Sequence, residues 1–221
     1  MKAVLKHIVA HTYKPLLVRY LSKTRIYKHD DIRLEIPPQV FHPGFYFSTH
    51  LLLNYIKQFP LQGKSFLEPG CGSGLISIYA SMNGSHVTAT DINPIAIDFL
   101  KKNSLQNEVA LTIIQSDLFQ KIPEQLFDII AINPPYYKKQ PKTVQDYAWY
   151  CGENGEYFSS LFKDLKCYIH QDSLVLMVLF EGCDMKMIKD IAAQNLFKLN
   201  CVHRKKNLLE KNFILKIEMT E

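Results

Sequence analysis

The feature that most restricts this sequence is a regular alternation of short apolar runs and helical patterns from residue 64 onward. Short runs that are apolar or alternate in polarity predict strands, and apolar residues at helical spacing predict helices between most of them. Such alternation favours a mostly parallel sheet with both faces covered. The predicted strands are 64–68, 86–91, 111–115, 127–133, 174–180, 197–203 and 213–219, and the predicted helices are 75–82, 94–105, 156–168 and 185–195.

The last two predicted strands have no helical pattern between them. Residues 205–212, KKNLLEKN, are typical of a turn between two paired strands. The final strand is therefore expected to run antiparallel to its neighbour. The whole pattern predicts the α/β class, with a doubly wound, mostly parallel sheet.

The first 43 residues follow a different pattern, and we expect them to form a small helix-and-hairpin appendage to a main domain over 44–221. Apolar residues at helical spacing predict a helix over 2–12, and Pro15 permits a second helix start. Two alternating runs predict a β-hairpin over 24–36.

A proline-rich connector, IPPQVFHPG at 36–44, marks the expected boundary. Prolines fix the backbone and restrict the residues before them, so this segment should be stiff and extended. Ser48 or Thr49 is expected to cap a helix that ends near residue 58, because a hydroxyl at this position can accept an unpaired backbone N–H.

Positive charge is concentrated in residues 1–33. This segment contains eight Lys or Arg and two Asp, whereas the whole chain has a net charge of +5. A basic arm favours an anionic partner, such as RNA (tRNA included), DNA or a ribosomal surface. The alternative interpretation is a solvated face of a small helix.

The cysteine pattern indicates the redox compartment of the protein and whether a zinc site is present. Five cysteines without a Cys-x-x-Cys spacing argue against a disulfide framework and against a zinc site, so no metal is expected. A reducing cytoplasm is the expected location. No run approaches the roughly 18 apolar residues of a membrane span, and polar residues such as Lys6 and His7 interrupt the apolar N-terminus.

A glycine-rich turn joins the first predicted strand of the main domain to its helix. In FLEPGCGSG (66–74), alternate glycines permit a tight turn and a close approach of the backbone to a ligand at the helix N-terminus. Asp91 follows Gly70 by 21 residues and ends the next strand, where an acid can bind ribose hydroxyls. Asp117 follows the third strand and could accept a hydrogen bond from an adenine amino group or cap a turn.

The charge beside this turn indicates which nucleoside cofactor it would bind. The turn carries no lysine, and Glu68 lies directly before it. A carboxylate repels a pyrophosphate but attracts an ammonium and a sulfonium. The sequence therefore favours S-adenosylmethionine over a dinucleotide.

A second polar turn follows the fourth strand, in AINPPYY (131–137). Two prolines cannot lie inside a central strand, so the strand must end before them. Asn133 offers a side-chain carbonyl, and the Pro134 backbone carbonyl is a second acceptor in a turn that Pro135 stiffens. Two acceptors on one planar N–H₂ group would favour a tetrahedral nitrogen with a free lone pair, and Tyr136 could stack on that group.

Four segments together, LEPGCGSG, TDINPIAI, SDLF and INPPYY, resemble the class I S-adenosylmethionine-dependent methyltransferases, in the branch that methylates planar nitrogens. The resemblance spans about residues 35–180 and implies a seven-stranded, Rossmann-like sheet with an antiparallel last strand. The cofactor-binding residues would be Glu68, Gly70, Cys71, Gly72, Gly74, Asp91, Ile92, Asp117, Leu118 and Asn133. The catalytic residues would be Asn133, Pro134 and Tyr136, and the substrate-binding residues Pro135, Tyr136 and Tyr137.

Two substrates fit this turn, a glutamine side-chain amide in a protein and an exocyclic amino group of adenine or guanine. The flanks YKHDDIRLEIPPQVFHPG and YAWYCGENGEYF are similar to the release-factor glutamine methyltransferase family, which favours a protein substrate; shorter relatives use a partner subunit. The basic arm and Lys138, Lys139 and Lys142 could instead hold phosphates beside a flipped base. Another basic cluster, at 203–206, has no assigned role.

Two other classes of protein share parts of this pattern. A nicotinamide oxidoreductase also uses a glycine turn and a ribose-binding acid, but it gives no reason for Asn-Pro-Pro-Tyr after the fourth strand. A binding protein could keep the fold without the chemistry, although both acceptors of the turn are present.

Overall fold

The computed structural model describes residues 19–207 and 210–220. The strands of these residues are β1 (Arg25–His29), β2 (Ile32–Ile36), β3 (Ser65–Pro69), β4 (His86–Asp91), β5 (Leu111–Gln115), β6 (Phe127–Ile132), β7 (Ile169–Phe180), β8 (Phe197–Lys206) and β9 (Lys211–Met219). The α-helices are α1 (Phe47–Ile56), α2 (Leu75–Met82), α3 (Pro94–Gln106), α4 (Glu156–Leu165) and α5 (Met185–Gln194). Short 3₁₀ helices span Pro43–Phe45, Val144–Ala148 and Lys166–Tyr168.

Among the described residues, the strands from β3 to β9 form one seven-stranded sheet in the order β5-β4-β3-β6-β7-β9-β8. Neighbouring strands from β5 to β7 are parallel, and β9 runs antiparallel to both β7 and β8. The predicted α/β class, the seven strands and the antiparallel last strand are confirmed. Strands β8 and β9 pair with each other in antiparallel fashion, as the predicted hairpin requires.

Both faces of this sheet are covered, as its all-apolar strands require. Ile129 and Ala131 of β6 belong to the apolar cluster under α1, α2 and α3, whereas Ile130 and Ile132 belong to the cluster under α4 and α5. Successive residues of one strand thus enter opposite cores. Phe158 of α4 is fully buried in the second cluster, where truncation to alanine would cost about 3–5 kcal/mol.

The hairpin of β1 and β2 packs against α2 and α3. Ile32, Leu34 and Ile36 are buried in the same cluster as α2 and α3. Asn103 of α3 accepts from the Glu35 N–H at 2.8 Å and donates to the Glu35 carbonyl at 3.2 Å. These bonds satisfy the backbone of Glu35 on the open edge of β2 and hold the hairpin against α3. The division of the chain at residue 43 stays a prediction.

Some predicted boundaries differ from the structure. The helix predicted over 2–12 lies outside the described residues, and of the helix expected after Pro15 only residues 19–21 are described, as helical. Strand β7 begins at Ile169, five residues before the prediction, because Ile169 pairs with Phe127 of β6. The polar residues 170–173 then fall in an irregularity of the β6–β7 register, where Ser173 donates to the Phe127 carbonyl at 2.7 Å.

The predicted cap of α1 is wrong. The helix begins at Phe47, and Tyr46 precedes it without a side-chain capping bond. Ser48 and Thr49 lie inside the first turn and are buried, so their hydroxyls face the protein interior. None of the described helices is long and apolar enough to cross a membrane.

Candidate active site

A cleft lies at the carboxyl ends of β3, β4, β5 and β6, and its volume is about 1050 Å³ when the space open to solvent is included. Ligands of open α/β sheets bind at this edge. Twelve of the residues predicted from the sequence line the cleft, and the structure thus brings together Glu68, Gly70, Cys71, Gly72, Asp91, Ile92, Asp117, Leu118, Asn133, Pro134, Pro135 and Tyr136. Gly74 and Tyr137 are not among the lining residues.

The glycine turn after β3 has the backbone that its sequence requires. Gly70 and Gly72 have φ values of 73° and 52°, in the left-handed region that favours glycine. The N–H groups of Gly70 and Cys71 donate to the Thr90 carbonyl at 2.7 and 2.9 Å. A Cβ at Gly70 would meet nothing within 4 Å, so the turn leaves open space on the cleft side.

Gly74 has a structural role in the same turn. Its φ is 83°, and a Cβ there would lie 2.1 Å from a methyl group of Leu100. This glycine permits α2 to pack closely against α3, and it does not contact the cleft.

Asp91 fastens the glycine turn to the end of β4. Its Oδ2 accepts from the Gly72 N–H at 2.8 Å, and its Oδ1 accepts from the Asn93 N–H at 2.9 Å. Burial raises the pKa of Asp91, and the backbone hydrogen bonds oppose that shift. Each carboxylate oxygen has a second lone pair, so the group can accept further bonds from a ligand in the cleft.

Glu68 is a buried acid at the base of the cleft. Its Oε2 accepts from the backbone N–H of Ser77 at 2.8 Å and also from the Ser77 hydroxyl. Burial raises the pKa of Glu68 to about 8, and Asp91 adds to the shift, while the two bonds from Ser77 oppose it. A cation in the cleft would favour the charged form.

Asp117 and Leu118 form the far wall after β5. Asp117 is exposed, and Leu118 is buried with a φ of 47°. Tyr157, at the start of α4, also lines this part of the cleft. Burial raises the pKa of the Tyr157 phenol, with smaller contributions from Asp91 and Asp117, so the ring stays neutral.

Asn133 and the two prolines end β6 as the sequence predicted. The Asn133 amide nitrogen donates to the Thr49 hydroxyl at 3.1 Å. Within the described part of the chain, no donor meets its Oδ1 or the carbonyl of Pro134. Pro134 and Pro135 are buried, so the turn holds both acceptors in a fixed frame.

Tyr136 and Tyr137 diverge after this turn. Tyr136 lines the cleft, and its ring packs 4.7 Å from that of Phe180. Tyr137 is 46% exposed and lies at the rim, where its ring also approaches Phe180 at 6.0 Å. Burial is the largest of the effects that raise the pKa of Tyr136, so the phenol stays neutral and its ring is available for stacking.

The loop after Tyr137 folds back along the reactive turn. Tyr136 and Tyr137 both donate their N–H groups to the Trp149 carbonyl, at 3.2 and 2.9 Å. Between these segments a 3₁₀ helix, Val144–Ala148, reaches the cleft. Thr143 and Asp146 form a capping box that holds this helix.

Two lysines of this loop make internal contacts. Lys138 forms an ion pair with Asp184 at 3.1 Å, and the Lys139 ammonium lies 4.7 Å from the ring centre of Tyr150. Both lysines are therefore partly occupied in holding the loop against the protein.

Sequence reasoning missed the parts of the cleft that come from distant segments. Phe41 of the connector lines the cleft, and its ring lies 5.2 Å from Trp149 and 4.4 Å from Tyr46. Thr49 and Tyr157 are further lining residues. Phe41 and Tyr157 lie inside the two segments that resemble the release-factor glutamine methyltransferase family, but only the folded chain shows that they reach the cleft beside Thr49. No group of three or more His, Cys, Asp or Glu in the described ranges is placed to hold a metal ion.

The sheet order and the cleft at its carboxyl edge define the fold of class I methyltransferases. The profile of the methyltransferase small domain family matches residues 32–150, which includes the glycine turn, Asp91 and the Asn-Pro-Pro-Tyr turn. The chain belongs to this family.

Among curated proteins, one provisionally named a protein N5-glutamine methyltransferase of Methanocaldococcus jannaschii is 37% identical over 108 residues, 48% of this chain and 52% of that protein. A release factor glutamine methyltransferase of Rhodopirellula baltica is 36% identical over 117 residues, 45% of this chain and 39% of that protein. The chain thus spans about half the length, or less, of these curated relatives.

Two solved structures share the fold. The E. cuniculi Mtq2–Trm112 complex, responsible for methylation of the termination factor eRF1, has a TM-score of 0.62 at 19% identity, covering 82% of this chain and 99% of that one. The T. thermophilus 16S rRNA N2 G1207 methyltransferase, in complex with AdoMet and guanosine, has a TM-score of 0.61 at 15% identity. The match covers 90% of this chain and 50% of that one.

Proposed function

We propose that this protein is an S-adenosylmethionine-dependent N-methyltransferase that acts on a planar N–H₂ group, the side-chain amide of a glutamine in a protein of the release-factor type. The bond from Asn133 to Thr49 carries this proposal. In this bond the amide nitrogen of Asn133 donates to a protein group. Its Oδ1 and the Pro134 carbonyl are then the two acceptors beside the cleft.

The residues of the cleft fit S-adenosylmethionine. The open space at Gly70 permits close approach of the methionine part, and Glu68 offers an oxygen, Oε1, that no donor meets within the described ranges. Asp91 would bind the ribose, while Asp117, Leu118 and the ring of Tyr157 would surround the adenine. The turn has no cation for a pyrophosphate, which is the reason to prefer this cofactor over a dinucleotide.

Bound S-adenosylmethionine supplies a methyl group on a sulfonium. The task of the protein is then to hold a nitrogen lone pair in line with that methyl. The Asn133 Oδ1 and the Pro134 carbonyl accept hydrogen bonds from the two N–H groups of the substrate. These hydrogen bonds become stronger as positive charge develops on the substrate nitrogen. Tyr136 sets the plane of the substrate, and the proton leaves after the methyl has arrived, so no strong base is required.

Glutamine is preferred over a nucleobase for two reasons. The two curated relatives described above are named as glutamine methyltransferases. In addition, Lys138, the lysine nearest in sequence to the reactive turn, forms an ion pair with Asp184 and is less available for phosphates. A partner subunit, as in the Mtq2–Trm112 complex, forms part of the proposal.

The second candidate is N-methylation of an exocyclic amino group of guanine or adenine in RNA. A fold neighbour complexed with guanosine favours it, as do the basic residues near the N-terminus. The same two acceptors would bind the amino group of a flipped base.

The experiment is incubation of cell extract with the purified protein and S-adenosylmethionine carrying a radioactive methyl group. Label that protease releases and nuclease does not supports the proposal, and mass spectrometry then locates the methylated glutamine. Label that only nuclease releases would establish the second candidate. The matched control is Asn133→Ala, which should bind the cofactor and transfer no methyl.

A further inference from the structure

The end of the β8–β9 hairpin carries a basic group that the proposed activity does not use. Its members, which we call the basic tip, are Arg204, Lys205, Lys206 and Lys211, and all four are exposed. No carboxylate lies within ion-pair distance of these four side chains in the described part of the chain. Lys198 and Lys216, lower on the same hairpin, both pair with Glu218.

The register of the hairpin places like charges together. Lys206 and Lys211 are directly opposite each other across β8 and β9. Like charges at opposed positions destabilise a sheet, so this arrangement costs stability in the free protein. An anion bound between the two ammonium groups would relieve that cost.

The basic tip lies on the same edge of the sheet as the cleft. Strand β8 runs parallel to β6 and β7, so its carboxyl end points the same way as theirs. The Lys205 ammonium lies 5.7 Å from the ring centre of Phe47, the first residue of α1, two positions before Thr49 in the cleft wall. A ligand on the tip would therefore border α1 on the side of the cleft.

We propose that the basic tip binds the phosphate backbone of a nucleic acid. Three lysines and one arginine are typical of phosphate contacts, whereas lysine is depleted in protein–protein interfaces. Arg204 and Lys206 lie on one face of β8, about 6.8 Å apart at the strand rise of ~3.4 Å per residue, and can contact successive phosphates of one strand. The binding is independent of base sequence and does not depend on which nitrogen the cleft methylates.

Charges on an edge strand also prevent pairing with other chains. This role needs no ligand and predicts self-association of a neutralised variant. Nucleic-acid binding predicts instead a loss of affinity that depends on salt. The two roles are separated by measuring both properties on one variant.

The test is fluorescence anisotropy of a labelled single-stranded RNA of mixed sequence, titrated with the full chain at several salt concentrations. The variant is Arg204→Gln/Lys206→Gln/Lys211→Gln, and the control of equal charge change is Lys101→Gln/Lys163→Gln/Lys166→Gln, three exposed lysines on the helical surfaces. We expect the tip variant to lose at least about tenfold in affinity and its salt slope to fall by about 2, at ~0.7 per phosphate contact. The control should stay near wild type.

Any of the following RNA results would overturn the proposal: no RNA binding by the wild type at physiological salt, equal losses in variant and control, or self-association of the tip variant with unchanged RNA affinity. Polyglutamate that binds the tip more tightly than the RNA would make the surface a site for acidic protein and would also overturn it. Thermal unfolding of the tip variant should occur at the wild-type temperature or higher, because the repulsion between Lys206 and Lys211 is removed.

Discussion

The side-chain amide of Asn133 donates a hydrogen bond to the hydroxyl of Thr49, 3.1 Å away and 84 positions earlier in the chain. An asparagine amide can point either end toward a ligand. This bond keeps the nitrogen in the protein and leaves the oxygen as the acceptor beside Pro134. The Thr49 hydroxyl therefore sets the orientation of the Asn133 amide, with its oxygen toward the cleft.

Thr49→Val should lower the rate of methyl transfer by about 100-fold, the order expected when a catalytic group is misplaced. Valine keeps the shape of threonine and removes the acceptor, so cofactor affinity should change little. The measurement is single-turnover transfer together with calorimetric cofactor binding. Thr49→Ser, which keeps the hydroxyl, should restore most of the rate; equal defects in both variants would show that packing, and not the hydrogen bond, matters.

Asp91→Asn should weaken cofactor binding by about 10- to 100-fold, because bonds to a charged acceptor contribute about 1.5–3 kcal/mol. The matched control is Asp128→Asn. Asp128 also accepts a backbone N–H, from Ser65 at 2.8 Å, but it does not line the cleft. Calorimetry with S-adenosylhomocysteine measures both, and unchanged affinity in the Asp91 variant would refute the proposed ribose contact.

Cofactor binding should release protons through Glu68. Its pKa of about 8 in the free protein means that the carboxyl is mostly protonated at pH 7. A sulfonium or ammonium nearby lowers that pKa, so affinity should rise as the pH increases from about 6 to 8. Calorimetry in buffers of different ionisation enthalpy measures the released protons, and Glu68→Gln should abolish the Glu68 share of them.

The same group should make the free protein less stable at higher pH. The pKa of Glu68 is raised from 4.5 to about 8 on folding, so between these values the native state binds more protons than the unfolded state. Its contribution is therefore full below pH 4.5 and is lost as the pH rises through 8. Urea unfolding at pH 5.5 and 8 should show a smaller decrease for Glu68→Gln than for the wild type.

Two alanine substitutions should distinguish the glycine of the turn that is needed for fold stability from the glycine that is needed for cofactor binding. Gly74→Ala places a Cβ 2.1 Å from Leu100 at a φ of 83°, and we expect it to destabilise the fold by about 2–4 kcal/mol. Gly70→Ala meets no atom within 4 Å, so it should cost only about 1 kcal/mol of backbone strain while it obstructs the cofactor. Thermal unfolding and cofactor binding together distinguish the two effects.

Local patterns predicted the central sheet well. The strand at His86–Asp91 and the helix at Leu75–Met82 end where the sequence indicated, because both are bounded by glycine, asparagine or proline. The start of β7 could not be predicted, since Ile169 is separated from the apolar run by four polar residues and joins the strand only through its pairing with Phe127. The cap of α1 was mispredicted because the hydroxyl of Thr49 meets Asn133, a partner that no local pattern shows.

Local residue patterns specify the class of fold, the glycine turn, Asp91 and the Asn-Pro-Pro-Tyr turn, since each depends on the backbone preferences of neighbouring residues. The folded structure sets which end of Asn133 faces the cleft, which glycine leaves room for a ligand, and how far burial raises the pKa of Glu68. It also placed the basic tip on the edge of the sheet where the cleft opens. These properties arise from contacts and burial between distant segments, which exist only after the strands have taken their order in the sheet.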